Sequence, residues 1–430
     1  MSSKWLYHSQ RWHKQQLVVQ RYYMNKDKHI PQGYKNSPLG IIPKEWEVKR
    51  LGEVCDYVDY RGKSPNKSSE GIFLITAKNI REGYIDYEVS KEYIPEEDYA
   101  EVMRRGKVEV GDVLITTEAP LGHVAQIDTP YVALAQRVIK YRGKEVIENT
   151  FLKYFLMSEI FQKILIANAT GSTALGIKGS RLHQLPIIIP SITEQTITTT
   201  ILCLWDTAIE KQSELIEKLT LRKSALMQQL LTGKKRLARF CEDWKDVKLG
   251  DIASFSTETI LTDKIDKKKY VGTENMISDC NGILPYDKDI PYLQVREYKQ
   301  EDILISNIRP YLKKIWLSNC DGGCSTDIHV VRNMGNDILL TKFLYYVLTL
   351  DSFFEYAMTS AKGSKMPRGD AKMLKKYHIT IPPIIEQHEI INILKKADTE
   401  IKLAKEKLTS LQSQKRGLMQ QLLTGQKRVV

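Results

Sequence analysis

Two long stretches of the chain carry the hydrophobic pattern of paired helices. In both, the a and d positions of a seven-residue repeat are mostly apolar over at least four heptads, and the other positions are mostly polar or charged. In the later stretch these positions are Ile390, Leu394, Ala397, Ile401, Ala404, Leu408, Leu411, Lys415, Leu418 and Leu422. In the earlier stretch they are Thr198, Leu202, Trp205, Ile209, Gln212, Ile216, Leu219, Lys223, Leu226 and Leu230. A stripe this narrow predicts a coiled-coil seam, interrupted by a lysine in each stretch.

The ends of the first helix carry recognisable signals. Residues 194–231 contain neither Pro nor Gly, Ser191 and Glu194 have the spacing of a capping box, and Gly233 suits the position after a helix. Roughly 38 residues at about 1.5 Å each predict a rod of about 57 Å. The second helix follows two prolines and ends before Gly425.

Most of the chain is an internal duplication. The run Leu-Met-Gln-Gln-Leu-Leu-Thr-Gly occurs at 226–233 and again at 418–425, an offset of 192. Other pairs at this offset are Glu194-Gln195 with Glu386-Gln387, Pro190 with Pro382, and Gly171-Ser172 with Gly363-Ser364. The offset drifts upstream, to 190 for Asp112 with Asp302 and to 198 for Trp46 with Trp244. A period of this length is a whole domain plus a helix, far longer than a solenoid repeat.

The duplication divides the chain into segments. Residues 1–30 are an extension without a counterpart; the others are a globular domain at 31–190, a helix and linker at 191–239, a second globular domain at 240–383, and a helix and tail at 384–430. Duplicated helices that pair antiparallel are related by a pseudo-twofold axis, which predicts globular domains at opposite ends in inverted orientation. The alternative is that each helix packs onto its own globular domain.

Each globular segment reads as an α+β domain. Apolar runs predict strands at 72–76, 112–116 and 303–306, and a final strand before each long helix at 185–189 and 377–381. Aromatic-rich segments predict a single helix in each domain, at 151–167 and 343–361.

Charge and cysteine content add limited information. The formal net charge of +12 suggests a polyanionic partner, yet the segments 43–190 and 240–383 carry −1 and 0, so a DNA-binding face requires charge to be sorted onto one side. Cys320 and Cys324 lack the further ligands of a zinc site, so we expect no metal. No secretory segment or run of 18 apolar residues is found, and we expect a reduced, cytoplasmic setting.

Candidate DNA-contacting residues are basic, hydroxyl or amide side chains in two loops and near the duplicated Gly-Ser turn. In the first domain they are Arg61, Lys63, Ser64, Lys67, Asn79, Ser172, Lys178 and Arg181. In the second domain they are Asn275, Arg309, Tyr311, Lys313, Lys314, Ser364, Lys365 and Arg368. Arg and Lys pair with guanine edges or phosphates, and small turns present backbone N–H groups to phosphate. The competing interpretations are solvated basic loops, turns kept for packing and, for the two asparagines, strand termination.

Together these motifs resemble the specificity subunits of type I restriction–modification systems. The resemblance rests on the repeated Leu-Met-Gln-Gln-Leu-Leu-Thr-Gly run, the Pro-x-x-x-Glu-Gln helix start, the Gly-Ser turn and the opening 40–46 followed by Leu51-Gly52. It covers nearly all of 33–428 but not residues 1–23, so no role is assigned to the extension.

The resemblance implies two target recognition domains that each read one half of a bipartite, asymmetric site in double-stranded DNA. It implies that the helices set the spacing and dock two methyltransferase subunits, with two restriction subunits joining for cleavage. No cofactor is implied on this chain; S-adenosylmethionine, ATP and Mg²⁺ would serve partner chains.

Missing motifs favour a non-catalytic chain. The sequence has no Gly-rich phosphate loop ending in Gly-Lys-Ser/Thr, and no Asn/Asp-Pro-Pro-Tyr/Phe element of the kind that holds a flipped adenine. The run 381–384 contains two prolines but lacks both the polar and the aromatic partner. The alternatives are a stand-alone DNA-modifying enzyme, a coiled-coil adaptor that binds protein, and the specificity chain of a related system without a separate motor.

Overall fold

The computed structural model describes residues 30–60, 65–171, 174–335, 337–359 and 367–429. The fold separates into two compact units. Unit 1 comprises the chain up to Lys211 together with the segment from Leu408 onward, and unit 2 comprises Gln212–Lys407. Each unit therefore holds one globular domain, the beginning of one long helix and the end of the other.

Unit 1 is built from short strands and short helices before the first long helix. Its strands are β1 Tyr34–Ser37, β2 Gly40–Pro43, β3 Glu47–Arg50, β4 Cys55–Asp59, β5 Ile72–Ile75, β6 Tyr93–Ile94, β7 Val113–Thr117, β8 Leu121–Gln126, β9 Ala133–Leu134, β10 Val138–Gly143 and β11 Pro186–Ile189. Its helices are α1 Leu51–Val54, α2 Tyr99–Val102, α3 Asn149–Met157, α4 Glu159–Ala167, α5 Gly179–Leu182 and the start of α6 Ile192–Leu230. The main sheet has the order β4-β10-β7-β8, and β3 pairs with β11.

The main sheet of unit 1 is buried on both faces. Val113 and Ile115 of β7 belong to one core cluster and Leu114 to another, as the alternation of side chains along a strand requires. Phe151 and Phe155 of α3 fill the first cluster. Both faces of β7 are thus packed, and the turn that follows it lies at one end of the sheet.

Unit 2 repeats this plan with a different second sheet. Its strands are β12 Lys245–Lys248, β13 Ala253–Ser256, β14 Thr259–Leu261, β15 Tyr270–Val271, β16 Gln294–Tyr298, β17 Ile303–Ser306, β18 Ile315–Leu317, β19 Gly322–Cys324, β20 Ile328–Asn333 and β21 His378–Ile381. Its helices are α7 Leu249–Ile252, α8 Thr341–Leu348, α9 Asp351–Thr359, α10 Ala371–Leu374 and the start of α11 Ile384–Leu423. The order β13-β20-β17-β18 matches β4-β10-β7-β8, and β12 pairs with β21 as β3 does with β11.

The α+β interpretation is confirmed, but one detail of it is wrong. The segment predicted as a single helix at 151–167 is two helices, α3 and α4, and the segment at 343–361 is α8 followed by α9. Ser158 causes the first break because its backbone is extended, at φ −64° and ψ 149°, and its hydroxyl accepts a hydrogen bond from the N–H of Phe161. A serine within an apolar pattern is a helix cap as readily as a helix residue.

The coiled-coil pattern is confirmed within each unit. All a and d positions of α6 and α11 named above are buried or half-buried. In unit 1, Lys415 of α11 forms an ion pair with Asp206 of α6. In unit 2, Lys223 of α6 lies 2.5 Å from Asp398 of α11, and Gln212 donates to the carbonyl of Ala404 at 3.0 Å. In unit 2 the contact on α11 moves back from Ala404 to Asp398 as the contact on α6 moves forward from Gln212 to Lys223. The two helices therefore run antiparallel. None of the helices in the described ranges is long and apolar enough to cross a membrane.

Candidate DNA-reading clefts

The duplicated Leu-Met-Gln-Gln-Leu-Leu-Thr-Gly run anchors each long helix in a globular core. Met419 and Leu423 at the end of α11 are buried in the main core of unit 1. Leu230 and Leu231 at the end of α6 are buried in the main core of unit 2. The run from each copy thus packs against the globular domain of the other copy. The alternative of helices packed only on their own domains is therefore wrong for their C-terminal ends.

A Trp–Glu–Arg cluster fixes each of these junctions. In unit 1 the indole of Trp46 donates to Glu194 at 2.9 Å, and Arg428 donates to the same buried carboxylate at 2.9 Å. In unit 2, Glu386 receives the indole of Trp244 at 3.1 Å and Arg236 at 2.8 and 2.9 Å. The arginine follows the repeated run by three residues in both copies.

A Tyr–Asp–Lys cluster explains the lysine in each apolar seam. Tyr346 of α8 donates to Asp398 at 2.6 Å, and this aspartate is the partner of Lys223. Tyr154 and Asp206 form the same pair in unit 1, where Asp206 is the partner of Lys415. Burial, followed by the hydrogen bond to aspartate, raises the pKa of both phenols, so both remain protonated donors at neutral pH. The interruption of the seam is therefore a specific polar contact that ties both helices to the globular domain.

Unit 1 contains an open cleft at the end of its main sheet. The cleft has a volume of about 440 Å³. It is lined by Thr117, Glu118, Gln136, Arg137, Thr170, Ala174, Gly176, Ile177 and Lys178. We call it cleft 1. Its hydroxyl, carboxylate, amide, guanidinium and ammonium groups can pair with the hydrogen-bond donors and acceptors that base edges present in the major groove.

Backbone hydrogen bonds fix the three segments of cleft 1. Thr117 N–H donates to the carbonyl of Arg137 at 3.0 Å, and Ile177 N–H donates to the carbonyl of Thr117 at 3.0 Å. Asp112, directly before β7, is buried and accepts two hydrogen bonds from Arg142, at 2.7 and 2.8 Å. Burial alone would raise the pKa of Asp112, but hydrogen bonds from Arg142 and a backbone N–H lower it overall. The carboxylate therefore stays ionised and holds the strand that carries the cleft.

Unit 2 has the same backbone arrangement at equivalent positions, which we call surface 2. Asn307 N–H donates to the carbonyl of Asp327 at 2.9 Å, and Gly369 N–H donates to the carbonyl of Asn307 at 2.8 Å. The N–H of Arg309 also donates to the carbonyl of Pro367 at 2.8 Å. Asp302 receives Arg332 at 2.8 and 2.9 Å, as Asp112 receives Arg142 in unit 1. The frame is thus duplicated although the side chains on it differ.

Two further features mark these edges as specialised. Ala119 beside cleft 1 and Arg309 beside surface 2 have φ of +45° and +51°, each directly before a proline. Such left-handed backbone at a residue other than glycine is strained and often lies at functional sites. In unit 2 the side-chain oxygen of Asn307 and Nε2 of His329 are buried without a hydrogen-bond partner. Burial lowers the pKa of His329 to about 4, so this ring is neutral at physiological pH.

The sequence predictions for DNA contact divide into those that reach these surfaces and those that do not. Lys178 lines cleft 1, and the segments of Arg309 and Arg368 are joined in surface 2 by the bridge between Ile308 and Arg368. Tyr311 is 50% exposed in the same turn. The Gly-Ser turn and the 307–314 loop of unit 2 were predicted as separate sites, and the structure brings their flanks together.

Other predicted contacts have partners within their own unit. Lys67 pairs with Glu92 at 2.6 Å, Arg181 donates to Asn168 at 2.8 Å, Lys313 pairs with Asp351 at 2.7 Å, and Lys314 donates to the carbonyl of Thr273 at 2.7 Å. Arg61, Lys63, Ser64, Ser172, Ser364, Lys365 and residues 1–29 lie outside the described residues.

Asn79 and Asn275 are not available to DNA in this structure. Asn79 is fully buried, accepts from the N–H of Thr76 at 2.9 Å and donates to the carbonyl of Val89 at 2.6 Å. Asn275 is 7% exposed, accepts from the N–H of Gly272 at 2.7 Å and donates to a loop carbonyl at 2.8 Å. Both amides close the loop after a strand, so strand termination, the competing interpretation, describes them.

The sequence predictions for DNA contact did not include Glu118, Gln136 and Arg137 of cleft 1 or Asp327 of surface 2. The candidate loops at 60–67 of the first domain and 307–314 of the second do not lie at equivalent positions of the duplication. The offset of 190 at Asp112 and Asp302, continued by a few residues, would have led from Asn307 to Thr117.

Comparisons with known proteins agree with this duplicated arrangement. The model of the family described as type I restriction modification DNA specificity domain matches residues 43–221 and again 241–413. A protein of Methanocaldococcus jannaschii named as the MjaX specificity subunit of a type I restriction enzyme is 24% identical, over 93% of this chain and 97% of its own length. The MjaVIII specificity subunit of the same organism is 32% identical over 48% of this chain and 50% of its own. In fold, the S subunit of a type I restriction–modification system from M. genitalium is similar, with a TM-score of 0.52 and 15% identity over 92% of this chain and 98% of that one.

Proposed function

Because the chain belongs to the type I restriction–modification DNA specificity family, we propose that it is the DNA-reading, non-catalytic subunit of such a complex. Each globular domain reads one half of a bipartite, asymmetric target in double-stranded DNA. The long helices set the separation of the two halves and dock two methyltransferase subunits. Adenine methylation with S-adenosylmethionine, and cleavage with ATP and Mg²⁺ by two restriction subunits, belong to partner chains.

One observation carries the proposal: cleft 1 and surface 2 share a backbone frame but present different side chains. The hydrogen bonds made by Thr117 N–H and Asn307 N–H are equivalent, whereas the cleft residues Arg137 and Lys178 correspond in position to Asp327 and Asp370. A duplicated frame with different groups at its open edge is what two readers of different sequences require.

The helix contacts support a fixed spacing. The Trp–Glu–Arg and Tyr–Asp–Lys clusters tie both ends of each helix into globular cores. This supports the proposal that helix length sets the spacing of the two half-sites.

The test is co-expression with the cognate methyltransferase subunit and sequencing of methylated adenines. We expect methylation at one split motif. Exchange of residues 55–182 for those of a relative, which preserves the contacts of Trp46 and Glu194, is expected to change one half of the motif only. A change in both halves, or in neither, would contradict two independent readers.

The spacing role has its own test. Insertion of one heptad after Ile216 in α6 and after Ala404 in α11, near the contact of Gln212 with Ala404, keeps the antiparallel register. Seven residues add about 10.5 Å to the rod, close to three base pairs of about 3.4 Å. We expect the same half-sites at a spacing longer by about three base pairs. Altered half-sites at an unchanged spacing would refute this role.

A further inference from the structure

We propose that each globular domain reads the guanine of a G·C base pair with an exposed arginine that lies beside a carboxylate. The pair is Arg137 with Glu118 in cleft 1 and Arg368 with Asp327 in surface 2. This inference rests on the proposed function and adds to it a pair of residues and a type of base pair for each half-site.

The pair in cleft 1 is close but loosely held. Arg137 Nε lies 3.9 Å from a carboxylate oxygen of Glu118, and the two side chains are 51% and 46% exposed. An ion pair this exposed contributes about 0–1 kcal/mol to folding. The fold therefore does not depend on it, and the guanidinium fork is open toward the cleft.

The pair in surface 2 is built from different segments. Arg368 Nη2 lies 3.4 Å from Asp327 Oδ1, and the side chains are 56% and 31% exposed. Arg368 is placed by its backbone bridge to Ile308. Here too an open arginine stands beside a carboxylate at the end of the main sheet.

Only one position of the pair is shared between the two domains, and it carries the arginine in cleft 1 and the acid in surface 2. Arg137 and Asp327 occupy equivalent positions, because the N–H of Thr117 bonds to the first carbonyl and the N–H of Asn307 to the second. The acid of cleft 1 lies on the turn after β7, whereas the arginine of surface 2 lies on the segment after α9. The same chemical pair is thus built from different segments in the two domains.

Base edges suit this pair better than phosphates do. Arg donates two hydrogen bonds to O6 and N7 of guanine, and Glu or Asp accepts from N4 of cytosine, so a G·C pair offers partners to both members. A phosphate gains from the arginine but is repelled by the carboxylate beside it, which is 3.4–3.9 Å from the guanidinium. The neighbouring Lys178, for which no acidic partner is described, is the better phosphate contact in cleft 1.

The experiment uses the complex of this chain with its methyltransferase subunits and two DNA libraries, each with a different half-site randomised. Arg137→Ala is expected to reduce discrimination at one G·C position of one half by about 5- to 150-fold and to leave the other half unchanged. Arg137→Lys keeps the charge but loses the fork, and should lose the same discrimination while keeping most of the binding. Arg368→Ala is expected to act in the same way on the opposite half.

The matched control is Arg104→Ala in unit 1, which removes another exposed arginine, 3.6 Å from Glu101, and should leave the preferences unchanged. Equal thermal unfolding of all variants would show that the effects are not losses of folding. Uniformly weaker methylation of all sequences by Arg137→Ala would mean a phosphate contact and overturn the inference, as would half-sites without a G·C pair. If Arg137→Ala and Arg368→Ala still methylate the split site with wild-type base preferences, the inference alone is overturned. If the wild type itself methylates no split site, the proposed function is overturned with it.

Discussion

Gln387, the second residue of the duplicated Glu-Gln pair, offers a direct test of how the long helices are tied to the globular domains. Its side chain is fully buried at the start of α11. The amide oxygen accepts from the N–H of Leu340 at 2.8 Å, and the amide nitrogen donates to the carbonyls of Ile338 at 2.7 Å and Pro382 at 2.8 Å. The three bonds join the helix to the loop before α8 and to the end of β21.

Gln387→Leu preserves the volume of the side chain but leaves one N–H and two carbonyls without their partner. Each hydrogen bond contributes about 1 kcal/mol net, and a buried group left unpaired costs about 1–3 kcal/mol. We expect the free energy of unfolding to fall by about 3 kcal/mol or more. For a unit of this size that corresponds to a decrease in Tm of about 6–12 °C. Gln387→Glu should be at least as destabilising, because it loses both donated bonds and buries a charge.

The assay is urea unfolding of the full chain followed by circular dichroism, with calorimetry for Tm. Gln195→Leu is the matched variant in unit 1, where the amide contacts Glu148 N–H and the carbonyls of Val146 and Pro190 at 2.9–3.0 Å. Gln420→Leu, at an exposed position of α11, is the control and should change stability by less than about 0.5 kcal/mol. A loss below about 1 kcal/mol for Gln387→Leu, or a loss equal to that of the control, would refute the reasoning.

Three further predictions concern the same framework. Gly425→Ala should lower the free energy of unfolding by at least about 1 kcal/mol, because φ is +73° and the new Cβ would lie 2.4 Å from a proline ring carbon. The control is Gly417→Ala inside α11, where the new Cβ meets nothing within 4 Å and the change should be neutral or stabilising. Urea unfolding compares the two variants. Asp206→Asn should cost about 1–2 kcal/mol by leaving the buried Lys415 without its charge partner, and the double variant with Lys415→Met should recover most of the loss; additive losses would contradict this coupling. The lowered pKa of Asp112 contributes stability that is complete above the pKa of about 4 in the unfolded chain and is lost as pH falls through the lower pKa of the folded protein. When the free energy of unfolding is measured against pH, Asp112→Asn should lose less stability in acid than the wild type does. An unchanged pH profile would contradict this.

The helices were the part of the fold most accessible from sequence, because their signal is repeated. A seam of a and d positions specifies a buried stripe whatever it packs against, and Ile192–Leu230 and Ile384–Leu423 lie within a few residues of the predicted limits. The antiparallel direction was the expectation for duplicated helices related by a pseudo-twofold axis. The break at Ser158 was missed because periodicity continues across a cap that the side chain itself provides.

The candidate site was less accessible because it is assembled from segments distant in sequence. Glu118 and Arg137 come together only when β7 and β10 pair, and neither has a distinctive neighbourhood along the chain. Basic loops stand out in sequence, but Lys67 and Lys313 are engaged by acids that composition cannot locate. Asn79 was ambiguous because the same amide that reads adenine also closes a turn, and burial decides between them.

The origin of each cluster explains why the two copies agree in some positions and differ in others. The Trp–Glu–Arg cluster of unit 1 takes Trp46 and Glu194 from the first copy and Arg428 from the second, and the cluster of unit 2 takes Arg236 from the first copy. The arginine of each copy must therefore fit a Trp–Glu site that the other copy forms. A substitution of that arginine cannot be compensated by a second substitution within its own copy. The open edges of cleft 1 and surface 2 have no such reciprocal partner. Their side chains are free to diverge on a common frame, which is the property that a reader of two unlike half-sites needs.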